Sequence, residues 1–226
     1  MKSYLDRSKE LIGEAKIKSF EDKVITIVGL GGVGGTAFEA LVRSGFKHFI
    51  IVDHDDVDIT NLNRQVIYTL DDVNTSKVDK CEAFAKSISK DIVIEKHKVF
   101  FDEESKDIFK DKKIDFVIDA IDKPASKKAL IRFAIDYNIK FISSLGMGNR
   151  IDPECVKITT LNKTENCPLA KIMRTLLRKD NIDLKIVPVV FSNETPIVKL
   201  DHPASMIMVP STAGLLIAKY VITNID

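Results

Sequence analysis

Residues 24–53 restrict the possible folds of this chain more than any other stretch. Val24–Val28 (V-I-T-I-V) is a short, nearly all-apolar run with charge before it and glycine after it. Such a run marks a strand buried on both faces of a parallel sheet. Gly29-Leu30-Gly31-Gly32-Val33-Gly34 follows directly, and a helical pattern runs from about Gly32 to Ser44 with Val33, Ala37, Ala40 and Leu41 on one side. Gly45 stops that helix, and His48–Asp53 (H-F-I-I-V-D) reads as a second strand. Strand, tight turn, helix and strand within about thirty residues is the size of one βαβ crossover.

The rhythm continues. Ser76–Ser89 is helical in pattern, Ile92–His97 a strand, Glu103–Phe109 a short helix, Asp115–Asp119 a buried strand, Ala125–Asp136 a helix and Lys140–Leu145 a strand. This alternation predicts an α/β, Rossmann-like, mainly parallel sheet with helices on both faces. After Gly146 the pattern changes, with strand candidates at Val156–Leu161 and Ile186–Phe191, so an added, partly antiparallel C-terminal portion is expected. Leu169, Ile172, Met173, Leu176 and Leu177 form the stripe of an amphipathic helix. Pro210 sits where a last helix reaching about Val221 would begin, and Asn193–Ala204 reads as exposed loop. Ser3–Lys18 is a helix candidate with loosely periodic apolar residues, suited to packing on a partner as much as on its own core. At 226 residues, a single domain over 1–226 is expected, with a glycine-loop half at about 1–145 and a C-terminal half at about 146–226.

Composition narrows the setting. Hydrophobic residues make up 45% and charged residues 30%, which excludes a disordered chain. Lys plus Arg number 34 against 33 Asp plus Glu, so any attraction to nucleic acid must be local. Cys81, Cys155 and Cys167 contain no C-x-x-C pair, which argues against a disulfide framework or a four-thiolate zinc site and fits a reducing cytoplasm. The charged start of the chain lacks the apolar core of a signal peptide, and the longest uncharged stretch, His202–Ala218, is broken by Pro203 and Pro210. No membrane partner is expected.

Gly29, Gly31 and Gly34 match G-x-G-x-x-G after a strand and opening a helix, where orphan N–H groups bind an anion. Asp53 ends the next strand, where a carboxylate can accept hydrogen bonds from ribose hydroxyls. These residues predict adenine-nucleotide binding without specifying the nucleotide, and an NAD-dependent oxidoreductase would show the same set. The next turn, Asp53-His54-Asp55-Asp56-Val57-Asp58-Ile59-Thr60-Asn61-Leu62-Asn63-Arg64-Gln65, packs acids, amides and one arginine into the same crevice. Lys77 follows at a helix start, and Asp119-Ala120-Ile121-Asp122 closes another strand there. Two cations and two acids around a nucleotide suit phosphoryl or nucleotidyl chemistry.

On these motifs the sequence resembles the ubiquitin-activating-type adenylyltransferase superfamily over nearly its whole length. Its C-terminal half is similar to the tRNA threonylcarbamoyladenosine dehydratases. That similarity is carried by L-G-M-G-N-R-I-D-P at Leu145–Pro153, C-P-L-A at Cys167–Ala170, V-F-S-N-E at Val190–Glu194 and V-P-S-T-A-G at Val209–Gly214. The resemblance implies a carboxylate attacking the α-phosphate of ATP to form an acyl-adenylate, with ATP and Mg²⁺ as cofactors. It implies Arg64 and Lys77 on the phosphates, Asp122 on Mg²⁺, Asp53 on ribose, and Asn61 and Gln65 near the phosphates. Gly29, Gly31, Gly32, Gly34, Asp55 and Asp119 complete the implied nucleotide-binding set. It further implies a homodimer in which Arg7 reaches the partner's ATP site, and a tRNA carrying threonylcarbamoyladenosine as substrate.

Other readings stay open on the residues alone. Arg64 can be a helix cap or surface ion pair, Lys77 and Arg7 solvated charges, and Asp119 a cap for the following helix. Cys167 suits packing at a helix start better than nucleophilic chemistry. Lys171, Arg174, Arg178 and Lys179 could contact tRNA phosphates or form a solvated face. Lys123 departs from the small or amide residue usual after D-A-I-D in relatives. An alternative substrate is the C-terminus of a sulfur-carrier or ubiquitin-like protein, with a sulfur-transfer or small carrier protein as partner. A non-catalytic nucleotide-binding module is the remaining alternative.

Overall fold

The computed structural model describes residues 2–200 and 202–225; Met1, Asp201 and Asp226, which the expected single domain includes, lie outside the described residues. The amino-terminal region holds two helices rather than one. α1 (Asp6–Ile12) and α2 (Glu14–Ser19) are separated by Gly13 at φ +90°, a left-handed conformation that glycine adopts without a Cβ clash. α1 buries none of its residues, whereas α2 anchors through Ile17.

The βαβ unit follows as β1 (Val24–Val28), α3 (Gly32–Arg43) and β2 (His48–Val52). The two strands run parallel, from Val24 opposite His48 to Val28 opposite Val52. Next come α4 (Lys77–Ile88), β3 (Val93–His97), β4 (Phe116–Asp119), α5 (Pro124–Asp136) and β5 (Lys140–Ser144). The chain ends in β6 (Val156–Thr160), α6 (Pro168–Lys179), β7 (Pro188–Ser192) and α7 (Met208–Asn224). The expected short helix at Glu103–Phe109 is a 3-10 turn over Ser105–Phe109. All seven strands share one sheet in the order β3-β2-β1-β4-β5-β7-β6, parallel except that β6 runs antiparallel to β7.

Alternate strand residues feed two cores. Ile25, Ile27, Phe49 and Ile51 pack with Phe38 and Leu41 of α3 and Ala213 and Ile217 of α7. Val28, Ile50, Val52 and Val117 pack with Leu130 and Phe133 of α5 and Met173 and Leu177 of α6. Burying each large side chain of this kind is worth about 1.5–3 kcal/mol relative to exposure. α7 begins at Met208, two residues before the expected Pro210, and runs past Val221 to Asn224. Proline is tolerated at the third helical position because an N–H there has no helical acceptor to lose. A Cβ on Gly214 would lie 2.6 Å from Val33 O, so glycine lets α7 approach the start of α3.

The chain order reverses between neighbouring strands β1 and β4. Beyond the carboxyl ends of strands at such a point, open α/β sheets form a ligand crevice.

Candidate active site

The glycine loop, the turn after β2 and the 120–123 segment after β4 all lie beyond these carboxyl ends, while Arg7 stands apart, exposed on α1. Gly29 sits at φ +92°, and a Cβ there would lie 2.6 Å from Ala120 O. A Cβ on Gly34 would fall 1.8 Å from Gly29 O, where α3 closes on β1. Gly31 differs, because the nearest atom to an added Cβ would be Gln65 Nε2 at 3.9 Å. Space remains above it for a ligand. Gly32 opens α3 with Arg64 O and Pro210 each 3.1 Å from an added Cβ, so it serves packing. No side chain caps this helix start, which leaves its first-turn N–H groups for an anion.

Asp53 is buried and braces the loop: Leu30 N–H donates to its Oδ2 at 2.6 Å and Asp55 N–H to its Oδ1 at 2.9 Å. Each carboxylate oxygen retains a second acceptor site, the capacity a ribose hydroxyl needs. The Tyr68 hydroxyl holds the loop from the other side, donating to Leu30 O at 2.9 Å.

Asn61 is buried, and its side-chain oxygen accepts from Asp58 N–H at 3.3 Å, so it shapes the turn after β2. Gln65 is 5% exposed, and its Oε1 has no hydrogen-bond partner. An orphaned buried acceptor costs roughly 1–3 kcal/mol. The Gln65 atom beside the open space at Gly31 is Nε2, which can donate to a ligand's acceptor there. Arg64 is half-buried; its Nη1 donates to Thr60 O at 2.8 Å and Asn63 Oδ1 at 3.0 Å. It forms a carbonyl cap rather than an ion pair, so no carboxylate offsets its charge directly. The Asp58 carboxyl is held low first by the Thr60 hydroxyl and backbone N–H, then by the charges of Arg64 and Lys77, which places both cations around this turn.

Lys77 is not a solvated helix-start lysine. It is 4% exposed, and its Nζ lies 2.8 Å from Asp55 Oδ2. Burial pushes the Asp55 carboxyl up, but the hydrogen bond and charge of Lys77, then His54 and Lys123, outweigh it and the net shift is downward. Lys123 therefore acts on the same crevice.

Asp119 is 1% exposed and does not cap α5, whose start has no side-chain cap. Its partners are Lys127 Nζ at 2.8 Å, Ser143 Oγ at 2.6 Å and Ile121 N–H at 3.1 Å. Lys127 is wholly buried and gave no sequence signal, because Lys127-Lys128 reads as a surface pair. Removing one member of such a buried pair costs about 3–5 kcal/mol. Asp122 is exposed and takes part in no ion pair or side-chain hydrogen bond among the described residues. That leaves a hard oxygen donor of the kind Mg²⁺ takes together with phosphate oxygens. Asp53, His54 and Asp55 also bring ligand atoms within 4.8 Å of one another, but Asp53 and Asp55 already bind backbone N–H groups and Lys77.

The C-terminal half forms the adjoining wall through residues whose partners are distant in sequence. The Arg150 guanidinium, 5% exposed, donates to Gly146 O, Gly148 O, Asn166 O and Glu194 O at 2.8–3.1 Å. Asn149 at φ +61° exchanges bonds with Ala204 at 2.7 Å, so the expected exposed loop at Asn193–Ala204 is tied down. Asn63 Nδ2 then donates to Ser205 O at 2.8 Å, linking that segment to the turn bearing Arg64. Of the expected basic face, Arg174 is spent on Thr164 O at 3.0 Å and on the Thr164 hydroxyl, while Lys171, Arg178 and Lys179 are exposed.

None of the cysteines is placed as a nucleophile. Cys167 is buried at the α6 N-cap, where its sulfur accepts from Ala170 N–H at 3.4 Å. Burial pushes the Cys81 thiol up to about 12. Cys155 is raised first by its bond to Asp152, which its thiol donates at 3.2 Å. The folded protein is expected to resist iodoacetamide at neutral pH at all three positions and to react at all three in denaturant. Mass spectrometry reads the adducts, and labelling of native Cys167 would contradict this.

A hollow of about 310 Å³ lined by Phe116, Phe141, Pro188 and Tyr220 opens at the amino ends of β4, β5 and β7. Lys140 is its one charged lining residue. The chemistry-bearing groups gather at the opposite ends, in the crevice beyond the carboxyl ends of β1 and β4.

Residues 5–218 match the ThiF family. The chain is 36% identical over 237 residues to the tRNA threonylcarbamoyladenosine dehydratase of Bacillus subtilis, covering 97% of this chain and 93% of that one. The crystal structure of the E. coli tRNA N6-threonylcarbamoyladenosine dehydratase in complex with ATP superposes with a TM-score of 0.92 at 30% identity, covering 97% of this chain and 92% of that chain. The same E. coli enzyme in complex with AMP gives a TM-score of 0.91 at 31% identity, covering 96% and 91%.

Proposed function

We propose, from the premise that this chain belongs to the ThiF family, that it activates a carboxylate with ATP and is a tRNA threonylcarbamoyladenosine dehydratase. The observation that carries this reading is its near full-length similarity to a dehydratase, 97% of this chain against 93% of the relative. The crevice supplies matching parts: open space over Gly31 with Gln65 Nε2 beside it, two cations and an unpaired carboxylate. An oxidoreductase reading rests only on the glycine loop and Asp53.

The substrate is the carboxylate of the threonyl group on the tRNA adenosine. Its oxygen attacks the α-phosphorus of ATP, the bond from that phosphorus to the β-bridging oxygen breaks, and pyrophosphate leaves. Arg64 and Lys77 meet the charge that grows on the phosphate oxygens, where pre-placed donors act most strongly. ATP competes with Asp55 for Lys77. Asp122 would hold Mg²⁺, which neutralises phosphate charge when bound. A nitrogen of the carbamoyl group then attacks the activated carbonyl carbon and loses its proton. The bond to AMP breaks, and the ring closes with net loss of one water from the nucleoside. Attack within one molecule makes a covalent enzyme intermediate unnecessary.

Arg7, on a helix that buries none of its own residues, would complete the site of a second copy in a homodimer. Lys171, Arg178 and Lys179 are available to tRNA phosphates. Among the described residues no helix is long and apolar enough to cross a membrane, and the cytoplasm is the compartment that fits a tRNA substrate. Activation of a carrier protein for sulfur transfer would call for an accessible thiol, whereas Cys81 and Cys167 are buried and Cys155 is half-buried.

With Mg²⁺-ATP, tRNA from cells lacking the cyclised base should release AMP and pyrophosphate, and Asp122→Ala should reduce that rate by about 10²-fold or more. Turnover requiring a carrier protein and indifferent to tRNA would refute the substrate assignment. Full activity of the Asp122→Ala variant would refute the metal assignment.

A further inference from the structure

We propose that Lys127 is a positioning residue of the nucleotide site, acting through Asp119 to hold the Ala120–Asp122 turn against the glycine loop. The proposal rests on the adenylation reading for the identity of the bound nucleotide. Lys127 lies in the first turn of α5, fully buried, and its Nζ donates to Asp119 Oδ2 at 2.8 Å, Ser143 Oγ at 3.2 Å and Ser144 O at 2.7 Å. Asp119 Oδ2 also accepts from Ser143 Oγ at 2.6 Å, while Oδ1 accepts from Ile121 N–H at 3.1 Å. The ends of β4 and β5 and the start of α5 are thereby joined at one carboxylate.

The Ile121 bond turns the chain immediately after β4. Ala120 is caught in that turn: its N–H donates to Val28 O at 2.9 Å, and its carbonyl oxygen would stand 2.6 Å from a Cβ on Gly29. The side chain of Ala120 in turn lies 3.0 Å from where a Gly34 Cβ would be. The turn is wedged between the Asp119 carboxylate and the glycine loop, and Asp122 follows from it. All three N–H groups of this buried ammonium are placed, one on Asp119 and two on groups at the end of β5, so its position fixes the carboxylate relative to that strand. Three donors meet that carboxylate on two oxygens, and an amide would turn an N–H₂ group toward one of them.

Lys127→Met, which leaves Asp119 buried without its cation, is expected to melt lower and to bind ATP about 10–100-fold more weakly by calorimetry. The double variant Lys127→Met/Asp119→Asn carries no buried charge there. It is expected to melt close to wild type yet still bind ATP about tenfold more weakly, since nothing then ties the side chain at 119 to Ser144 O at the end of β5. Wild-type ATP affinity in the folded double variant would overturn the proposal and leave Lys127 as charge balance only. Calorimetry with ATP needs no tRNA, so failure of the dehydratase reading would show separately, as wild-type protein that binds ATP but does not turn over modified tRNA.

Discussion

Replacing Arg64 by alanine is expected to lower tRNA-dependent AMP release by about 10²–10³-fold while leaving the thermal midpoint nearly unchanged. Its guanidinium makes two hydrogen bonds, both through Nη1 and both within its own turn, so little of the fold depends on it. No carboxylate pairs with it, and its charge is available to phosphate oxygens as they become more negative. Lysine should restore only a small part of the rate, because an ammonium cannot present a planar fork of donors. The homodimer expectation sharpens this test. Arg7→Ala should be inactive for a different reason, the loss of a group supplied to the partner's site. Mixing the two inactive variants would form heterodimers with one intact site, recovering about a quarter of the wild-type rate. No recovery on mixing, with heterodimers present by mass spectrometry, would place Arg7 outside the partner's site.

Gly34→Ala is expected to destabilise the fold by at least about 3 kcal/mol in urea unfolding, a large effect for one methyl group. A Cβ there would fall 1.8 Å from Gly29 O, and the obstacle is backbone, which cannot swing aside like a side-chain end. Relief requires α3 to lift away from β1 at the centre of the sheet. Gly31→Ala is the control within the same loop. Its Cβ would meet only Gln65 Nε2 at 3.9 Å, so stability should hold while ATP affinity falls. A Gly34→Ala protein as stable as wild type would show that α3 is not seated on Gly29 as described.

Much of the sheet was readable in the sequence because buried parallel strands announce themselves locally. V-I-T-I-V, H-F-I-I-V and F-V-I-D are apolar runs bounded by turn residues, and each became a strand within a residue or two of its expected ends. The glycine loop and the N-L-N-R-Q turn were likewise contiguous. What escaped depends on partners far away in the chain. A helical pattern does not reveal that Gly13 adopts φ +90° and divides α1 from α2. The Lys127–Asp119 pair joins a helix to a strand end, and four separate carbonyls converge on Arg150. Such contacts exist only once the sheet has brought its strand ends together. The same reason explains why Asp119, in a motif shared with Asp122, turned inward while Asp122 remained exposed.

The most direct measurement is mass spectrometry of nucleosides from threonylcarbamoyladenosine-containing tRNA after incubation with the protein and Mg²⁺-ATP, with AMP counted in the same reaction. The modified adenosine should lose the mass of one water, with one AMP formed for each nucleoside converted. AMP formed while the nucleoside keeps its mass, or conversion without ATP, would contradict carboxylate activation followed by ring closure.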